Sequence, residues 1–476
     1  MTALDPIVPS PQAILESLLR TLEPVAVLDG GRVDIVGDDP VVESRFRPAA
    51  AAAAALAAQG AGVAEIWRIR SGQRQQVTVE ARRAAVPGLR TINYVRQNGI
   101  AHELFPRSTT SFNNFFTTRD GRQIYLLRNT MYVENLLGTL ELLGCRYDEE
   151  SMAGAVRQWD GEALEDALAA RKLVGVLSRT RSEWRSHPHG AWLDARPPVE
   201  VTRIGSAPAE PLAPASRPLS GLRVLDFSHV LAGPVTARMF AEQGADVLRV
   251  SAQHQMDPMR IAIDTGAGKR SAHLDLDNPD EVERLKDLVR SCDIFVESWR
   301  PGSLDRRGLS PQALAEIRPG IIYVSVSAYG SGGPWSDRIG YEPVGQVACG
   351  LAGEEGTADA PRLAVTGTLN DYLTAYLAAA GTMAALIRRS REGGSQHVRA
   401  SLTRTSMWLQ EIGELPRDIW PGAMPMEPLR GDLIDMASPF GMVTVPGPIT
   451  QYEHTPGYWD RPPQPFGASL PVWLPR

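Results

Sequence analysis

RVLDFSHVLAGPVTARMFAEQGADVLRV, residues 223–250, reads as a strand, a turn, a helix and a second strand. Two short apolar runs flank the segment, and Gly233-Pro234 between them supplies a tight turn and a pre-set first helical residue. The alternation continues downstream. Strands are expected at 222–228, 246–250, 293–297 and 321–327, with helices at 234–243, 279–291 and 310–317, the last opened by Ser310-Pro311. Strands separated by helix-length segments point to an α/β fold, an open parallel, Rossmann-like sheet with helices on both faces. The first turn, SHVLAGPV at 228–235, presents backbone N–H groups at a helix start, where an anion can sit. It is not G-x-G-x-x-G, so the nicotinamide dinucleotide fingerprint is missing.

A second stretch, RLAVTGTLNDYLTAYLAAAGTMAALIRRSREGGSQHVRASL at 362–402, predicts a helix from about Asp371 to Arg389 and then a strand. Asn370 or Asp371 falls at the N-cap position, Arg388 and Arg389 fall in the last turn, and Gly393-Gly394 ends the helix. Asp371 is then a carboxylate at the positive end of a helix, where its ionised form is favoured. The residues alone leave it open between a structural cap and a reactive group. Residues 63–81, VAEIWRIRSGQRQQVTVEA, echo AALIRRSREGGSQHVRASL at 384–402 under one constant shift. That shift carries Asp371 onto Ala50, so the earlier copy keeps the helix–Gly–strand frame without the carboxylate. One arrangement that fits is a pseudo-symmetric pair, residues 33–100 beside 362–402, within one chain.

Composition narrows the function classes. The chain has 476 residues, enough for several domains, with 43% apolar and 22% charged residues. A net charge of −6 argues against nucleic-acid binding. Three scattered cysteines, Cys145, Cys292 and Cys349, suggest a reducing compartment and neither a disulfide framework nor a metal cluster. No unbroken apolar run of membrane-spanning length and no basic-then-apolar leader is legible, so a cytoplasmic protein without membrane contact is expected.

The organisation reads as five units: a degenerate partial repeat (1–105), a small α+β domain (106–205), a Pro/Ala/Ser-rich linker (206–220), the parallel-sheet domain (221–410) and a tail packed on the body (411–476). A helix is expected at 11–22 and the alanine tract 49–58 should be a close-packed helix. Asp120-Gly121 should turn a hairpin, and helical patterns fill 134–144 and 162–173. Basic residues gather in two expected loops, Lys269-Arg270 and Arg300 with Arg306 and Arg307, open between solvated charge and phosphate ligands. His229 is open between a hydrogen-bonded structural histidine and an acid or base.

Five motifs in one order resemble the class III CoA-transferases, the CaiB/BaiF family. They are 223–250, GKRSAHLDLDN (268–278), VESWRPGSLDRRGLSP (296–311), IIYVSVSAYGSGGPWSDRIGYE (321–342) and 362–402. Ser251 stands where the family's second strand usually ends in glutamate, and Tyr341-Glu342 where the pattern is GYD. The resemblance implies a CoA-binding sheet domain with a smaller domain, and Asp371 as the catalytic nucleophile. It places His229, Val230, Leu231, Lys269, Ser298, Trp299, Arg300, Ser303 and Arg306 in CoA-contacting segments.

The implied reaction moves CoA from an acyl-CoA to a carboxylic acid through an aspartyl intermediate, with CoA as substrate and neither a permanent cofactor nor a metal. Oxyanion donors are expected from glycine turns at 330–333 or 350–356. Family members are interlocked homodimers, so a homodimer is expected. Two other readings stay open: a 2-methylacyl-CoA racemase of the same family, whose histidine would fall at Tyr341-Glu342, and a CoA-binding protein without turnover.

Overall fold

The computed structural model describes residues 8–101, 114–128, 132–364, 368–420, 427–429 and 431–475. Helix α1 (Pro11–Leu22) leads to β1 (Val33–Val36), helix α2 (Pro48–Ser71) and β2 (Val77–Glu80). Two short strands, β3 (Arg96–Gln97) and β4 (Ile100–Ala101), precede a small antiparallel sheet of β5 (Phe115–Thr117), β6 (Gln123–Leu126) and β7 (Gly175–Leu177). Asp120-Gly121 does turn the β5–β6 hairpin, with Gly121 at φ +77°. Helix α3 (Val133–Leu143) covers that sheet together with Gly161–Ala170.

The main body is a seven-stranded sheet. Its strands are β8 (Val199–Gly205), β9 (Arg223–Phe227), β10 (Asp246–Ser251), β11 (Lys269–His273), β12 (Ile294–Glu297), β13 (Ile322–Ser327) and β14 (Ser395–Ser401). The order is β11-β10-β9-β12-β13-β14-β8, parallel throughout except β8, which runs antiparallel on β14. Helices α4 (Ala232–Glu242), α5 (Pro279–Val289), α6 (Pro311–Ile317), α7 (Leu369–Glu392) and α8 (Leu402–Ile412) follow in the same region.

Side chains alternate across this sheet. Val324, Val326 and Val398 join the core beneath α7, whereas Phe295 and Tyr323 join the core containing Leu285, Leu288 and Leu314 of α5 and α6. The chain closes with β15 (Leu433–Ser438) and β16 (Gly441–Pro446), a hairpin whose β16 pairs with β3 to complete the sheet β15-β16-β3-β4, and with β17 (Gln451–Tyr452), which pairs with β2. The last residues run back under the main sheet, where Trp473 packs on the α5 side.

Several expectations need correction. Residues 199–205 do not belong to the small domain: as β8 they complete the edge of the main sheet, because Val199 and Val201 pair with Ala400 and Val398. The segment 206–220 is irregular but pinned, with Glu210 bound by Arg318 at 2.7 Å and Leu219 fully buried. Lys269 and Arg270 lie in strand β11 and are buried, not in a loop. Each is neutralised by a carboxylate of the same sheet: Lys269 by Asp226 of β9, two strands away, at 2.7 Å, and Arg270 by Asp246 of the adjacent β10 at 3.0 Å. Finally, α2 is long and apolar enough by length and composition to cross a membrane, although its sequence suggested no such run. Its apolar window is wholly buried against the rest of the protein.

Candidate active site

The sheet order reverses between β9 and β12: from β9 the chain winds outward to β10 and β11, then returns to add β12, β13 and β14 on the other side. The loops leaving adjacent strands at such a switch point must diverge, and the crevice between them is where open α/β sheets take ligands. Here a groove of about 340 Å³ opens at that point.

One wall is the turn after β9. Val230 carries φ +62°, a costly conformation for a β-branched residue. It is held there because its N–H donates to Asp257 Oδ2 at 3.0 Å, and Asp257 is itself paired with Arg249. From below, Lys269 Nζ donates to Asp226 and, at 2.6 Å, to the carbonyl of Pro234, while Asp226 accepts from the N–H of Ser228 at 3.2 Å. Burial pushes Lys269 down to about 8, and the ammonium keeps its charge through Asp226. The other wall is the loop after β12. Ser298 Oγ accepts from the His229 N–H at 3.0 Å and lies 3.1 Å from His229 Nδ1, tying the two loops together. The His229 ring lies 4.5 Å from the Trp299 ring, whose Nε1 donates to the Phe227 carbonyl at 2.9 Å. Burial pushes the His229 imidazole down, so it faces the groove uncharged.

Of the residues named from sequence, His229, Trp299, Arg300, Ser303 and Arg306 line the groove. Ser298 clamps it, and Val230 shapes its turn. Two do not reach it: Leu231 is buried in the core, and Lys269 is consumed by Asp226 beneath the turn. Arg300 and Arg306 are exposed, and among the described residues neither has an ion-pair partner. The buried Ser303 hydroxyl also lacks a hydrogen-bond partner there. Arg307, by contrast, is tied to Asp277 and the Leu276 carbonyl. The groove thus offers two free guanidiniums, an unmet hydroxyl and an aromatic face, a donor set suited to a phosphate-bearing ligand.

Asp371 sits in the first turn of α7, 7% exposed. Thr368, not Asn370 or Asp371, occupies the N-cap, so Asp371 is a first-turn residue and its carboxylate is not spent on capping. Burial, and then the neighbouring Glu342, hold its carboxyl well above the usual range. Glu342 opens the helix Glu342–Ala348. Its Oε1 accepts from the Asn370 N–H at 3.1 Å and from Gln346 at 2.6 Å, while buried Oε2 has no partner among the described residues. Burial pushes Glu342 up to about 7.

Tyr132 connects the two halves of the site. Its ring stacks on Tyr341 at 4.2 Å, its buried hydroxyl is unpartnered among the described residues, and burial raises its phenol. The charges of Asp257, at the groove, and of Asp371 both act on that phenol. Tyr132, Arg249 and Asp257 escaped the sequence reading. In the glycine turns expected to donate to an oxyanion, the Gly330 N–H donates to Ser327 Oγ, and the Gly350 and Gly356 N–H groups donate to the carbonyls of Val347 and Ala352.

Residues 219–445 match the profile of CoA-transferase family III. Similar proteins include the acetyl-coenzyme A transferase nodX of Hypoxylon pulicicidum, 30% identical over 334 residues, 64% of this chain and 56% of that one. A formyl-CoA:oxalate CoA-transferase of Rhodopseudomonas palustris is 35% identical over 199 residues, 39% of this chain and 47% of that one. The chain spans about half the length of the curated relatives it matches. Among solved structures, a hypothetical protein from Mycobacterium tuberculosis is 28% identical with a TM-score of 0.39, covering 41% of this chain and 57% of that one. A CAIB/BAIF family protein from Brucella suis is 25% identical with a TM-score of 0.37, covering 48% and 65%.

Proposed function

We propose, from the match of residues 219–445 to the profile of CoA-transferase family III, that this chain is an enzyme that moves coenzyme A from an acyl-CoA thioester to a carboxylic acid, with Asp371 as nucleophile. The observation that carries the reading is a buried carboxylate, free of capping duty, whose charge acts on the same Tyr132 phenol as that of Asp257 in the cationic and aromatic groove at the sheet's switch point. Arg300 and Arg306 bind the CoA phosphates, and Trp299 with His229 supplies the flat apolar surface that a nucleotide needs. Burial makes Asp371 more basic than a surface aspartate. Its ionised oxygen attacks the thioester carbonyl, the C–S bond breaks, and CoA thiolate leaves behind a mixed anhydride. The thiolate then attacks the aspartyl carbonyl, releasing the donor acid and forming an aspartyl-CoA thioester. The acceptor carboxylate attacks the aspartyl carbonyl and the C–S bond breaks, releasing CoA thiolate and leaving a second mixed anhydride; thiolate attack on its acceptor acyl carbon gives the new thioester and restores the Asp371 carboxylate.

The racemase reading loses support at Tyr341, a phenol pushed up to about 12 where that chemistry would use histidine. The test is incubation with a panel of acyl-CoAs followed by mass spectrometry of the Asp371 peptide. We expect an aspartyl adduct, and loss of exchange in Asp371→Asn with CoA affinity retained. Substantial turnover by Asp371→Asn sinks the assignment. CoA binding without exchange in the wild type would favour the non-catalytic alternative.

A further inference from the structure

The constant shift between the two sequence copies is also a shift between two structures. Helix α2 begins at Pro48 and ends at Ser71; α7 begins at Leu369 and ends at Glu392. The bounds differ by 321 residues at both ends, the shift that takes Ala50 to Asp371. Under it Val77 of β2 meets Val398 of β14. The neighbours follow: β1 pairs parallel with β2 as β13 does with β14, and β17 pairs antiparallel with β2 as β8 does with β14. The β1-β2-β17 sheet is therefore a counterpart of β13-β14-β8.

Packing repeats too. A Cβ added at Gly60 would lie 2.7 Å from Val77 Cγ1 and close to Thr450. One added at the equivalent Gly381 would lie 3.0 Å from Val398 Cγ1 and close to Val199 and Val201. In each copy the helix rests on its own sheet through a glycine. The helices also rest on each other, and at Gly62 the nearest atoms are those of Met383, its own equivalent, at 2.4 Å from an added Cβ. Contact between equivalent positions is the mark of a two-fold axis. Even the helix starts correspond. Glu342 accepts from Asn370 N–H, and Asp39 accepts from Ala49 N–H, the equivalent donor, at 3.2 Å and from Ala50 N–H at 2.8 Å. The first copy keeps the capping carboxylate and lacks only the one beside it.

The first copy reaches the live site directly. The Ile92 N–H donates to Tyr372 Oη at 2.9 Å, Tyr376 Oη donates to the Gly88 carbonyl at 2.8 Å, and Thr368 Oγ1 donates to the Leu89 carbonyl at 3.2 Å. Thr368 and Tyr372 bracket Asp371 on α7.

We infer that residues 33–101 with β17 act as a built-in partner subunit: a non-catalytic copy, paired with the catalytic copy about an internal two-fold axis, that braces the first turns of α7. One chain then holds one working site and needs no second chain, in place of the homodimer that the family resemblance suggested. The single-site count rests on the assignment of Asp371; the pairing does not.

Sedimentation equilibrium combined with activity on dilution tests it. A mass of one chain, 51.7 kDa, with specific activity constant on dilution and one adduct per chain, is the expected result. A dimer at all concentrations, or activity lost as a dimer dissociates, overturns it. Gly62→Leu should lower the melting temperature by an amount independent of protein concentration, whereas concentration-dependent melting would place the Gly62–Met383 contact between chains and refute the inference. A single-chain mass without any adduct would remove the nucleophile assignment and leave the internal pairing standing.

Discussion

Replacing Glu342 by glutamine isolates the electrostatics at the start of α7. The amide oxygen can still accept from the Asn370 N–H, and the amide nitrogen takes the place of the unpartnered Oε2. What disappears is the proton equilibrium. Burial raises Glu342 from 4.5 to about 7, a difference of about 2.5 units, so at about 1.36 kcal/mol per unit the linkage is worth about 3 kcal/mol. The sign follows from proton counts. Between 4.5 and 7 the folded protein holds a proton that the unfolded chain has released, so stability falls as pH rises through that window and levels off above it. Urea unfolding of both proteins at a series of pH values should show the wild type losing about 3 kcal/mol relative to E342Q across the window. The acid limb of the pH–rate profile should also move to lower pH in E342Q, because the Glu342 charge no longer opposes ionisation of Asp371. Parallel stability curves, together with an unmoved acid limb, would refute the reasoning.

Two further substitutions separate binding from scaffolding. Lys269→Ala leaves Asp226 charged and buried without its partner, so thermal unfolding should report a loss of about 3–5 kcal/mol, and a protein as stable as wild type would contradict the buried pair. Arg306→Ala removes an exposed groove guanidinium, and calorimetric CoA titration should show binding weakened by about 1.5–3 kcal/mol with stability unchanged. Arg307→Ala, already committed to Asp277, should change affinity less; the reverse order would move the phosphates elsewhere.

The strands at 223–227, 246–251, 294–297 and 322–327 were legible because each is a short run rich in Val, Ile, Leu and Phe, largely buried in a parallel sheet and separated from the next by a helix-length segment. Strand β11 was not. Lys269-Arg270 reads as loop charge until Asp226 and Asp246, on strands far earlier in sequence, are seen to neutralise it. The same non-locality hid Tyr132 and Asp257, which carry no motif and are brought to the site by the fold. At the start of α7 the reading, Asn370 or Asp371, missed the cap by two or three residues: Thr368 takes it, and the aspartate falls inside the first turn, which changes its character from capping group to free carboxylate. The repeat, in contrast, could be read from residue spacing alone, because a duplicated helix preserves its length while its side chains drift.

The pairing of β2 with β17 has a cost during synthesis. Val77 waits for Tyr452, 375 residues downstream, to complete its sheet. At a translation rate of about 5–20 residues per second that interval is roughly 20–75 s. Throughout it the outer edge of β2 is exposed to whatever strand arrives first, and an unpaired edge is a template for the wrong chain. The first copy is thus made first and finished last. Its alanine-rich helix likewise has no twin to bury it until α7 is made, so the nascent protein carries a long apolar helix for most of its synthesis.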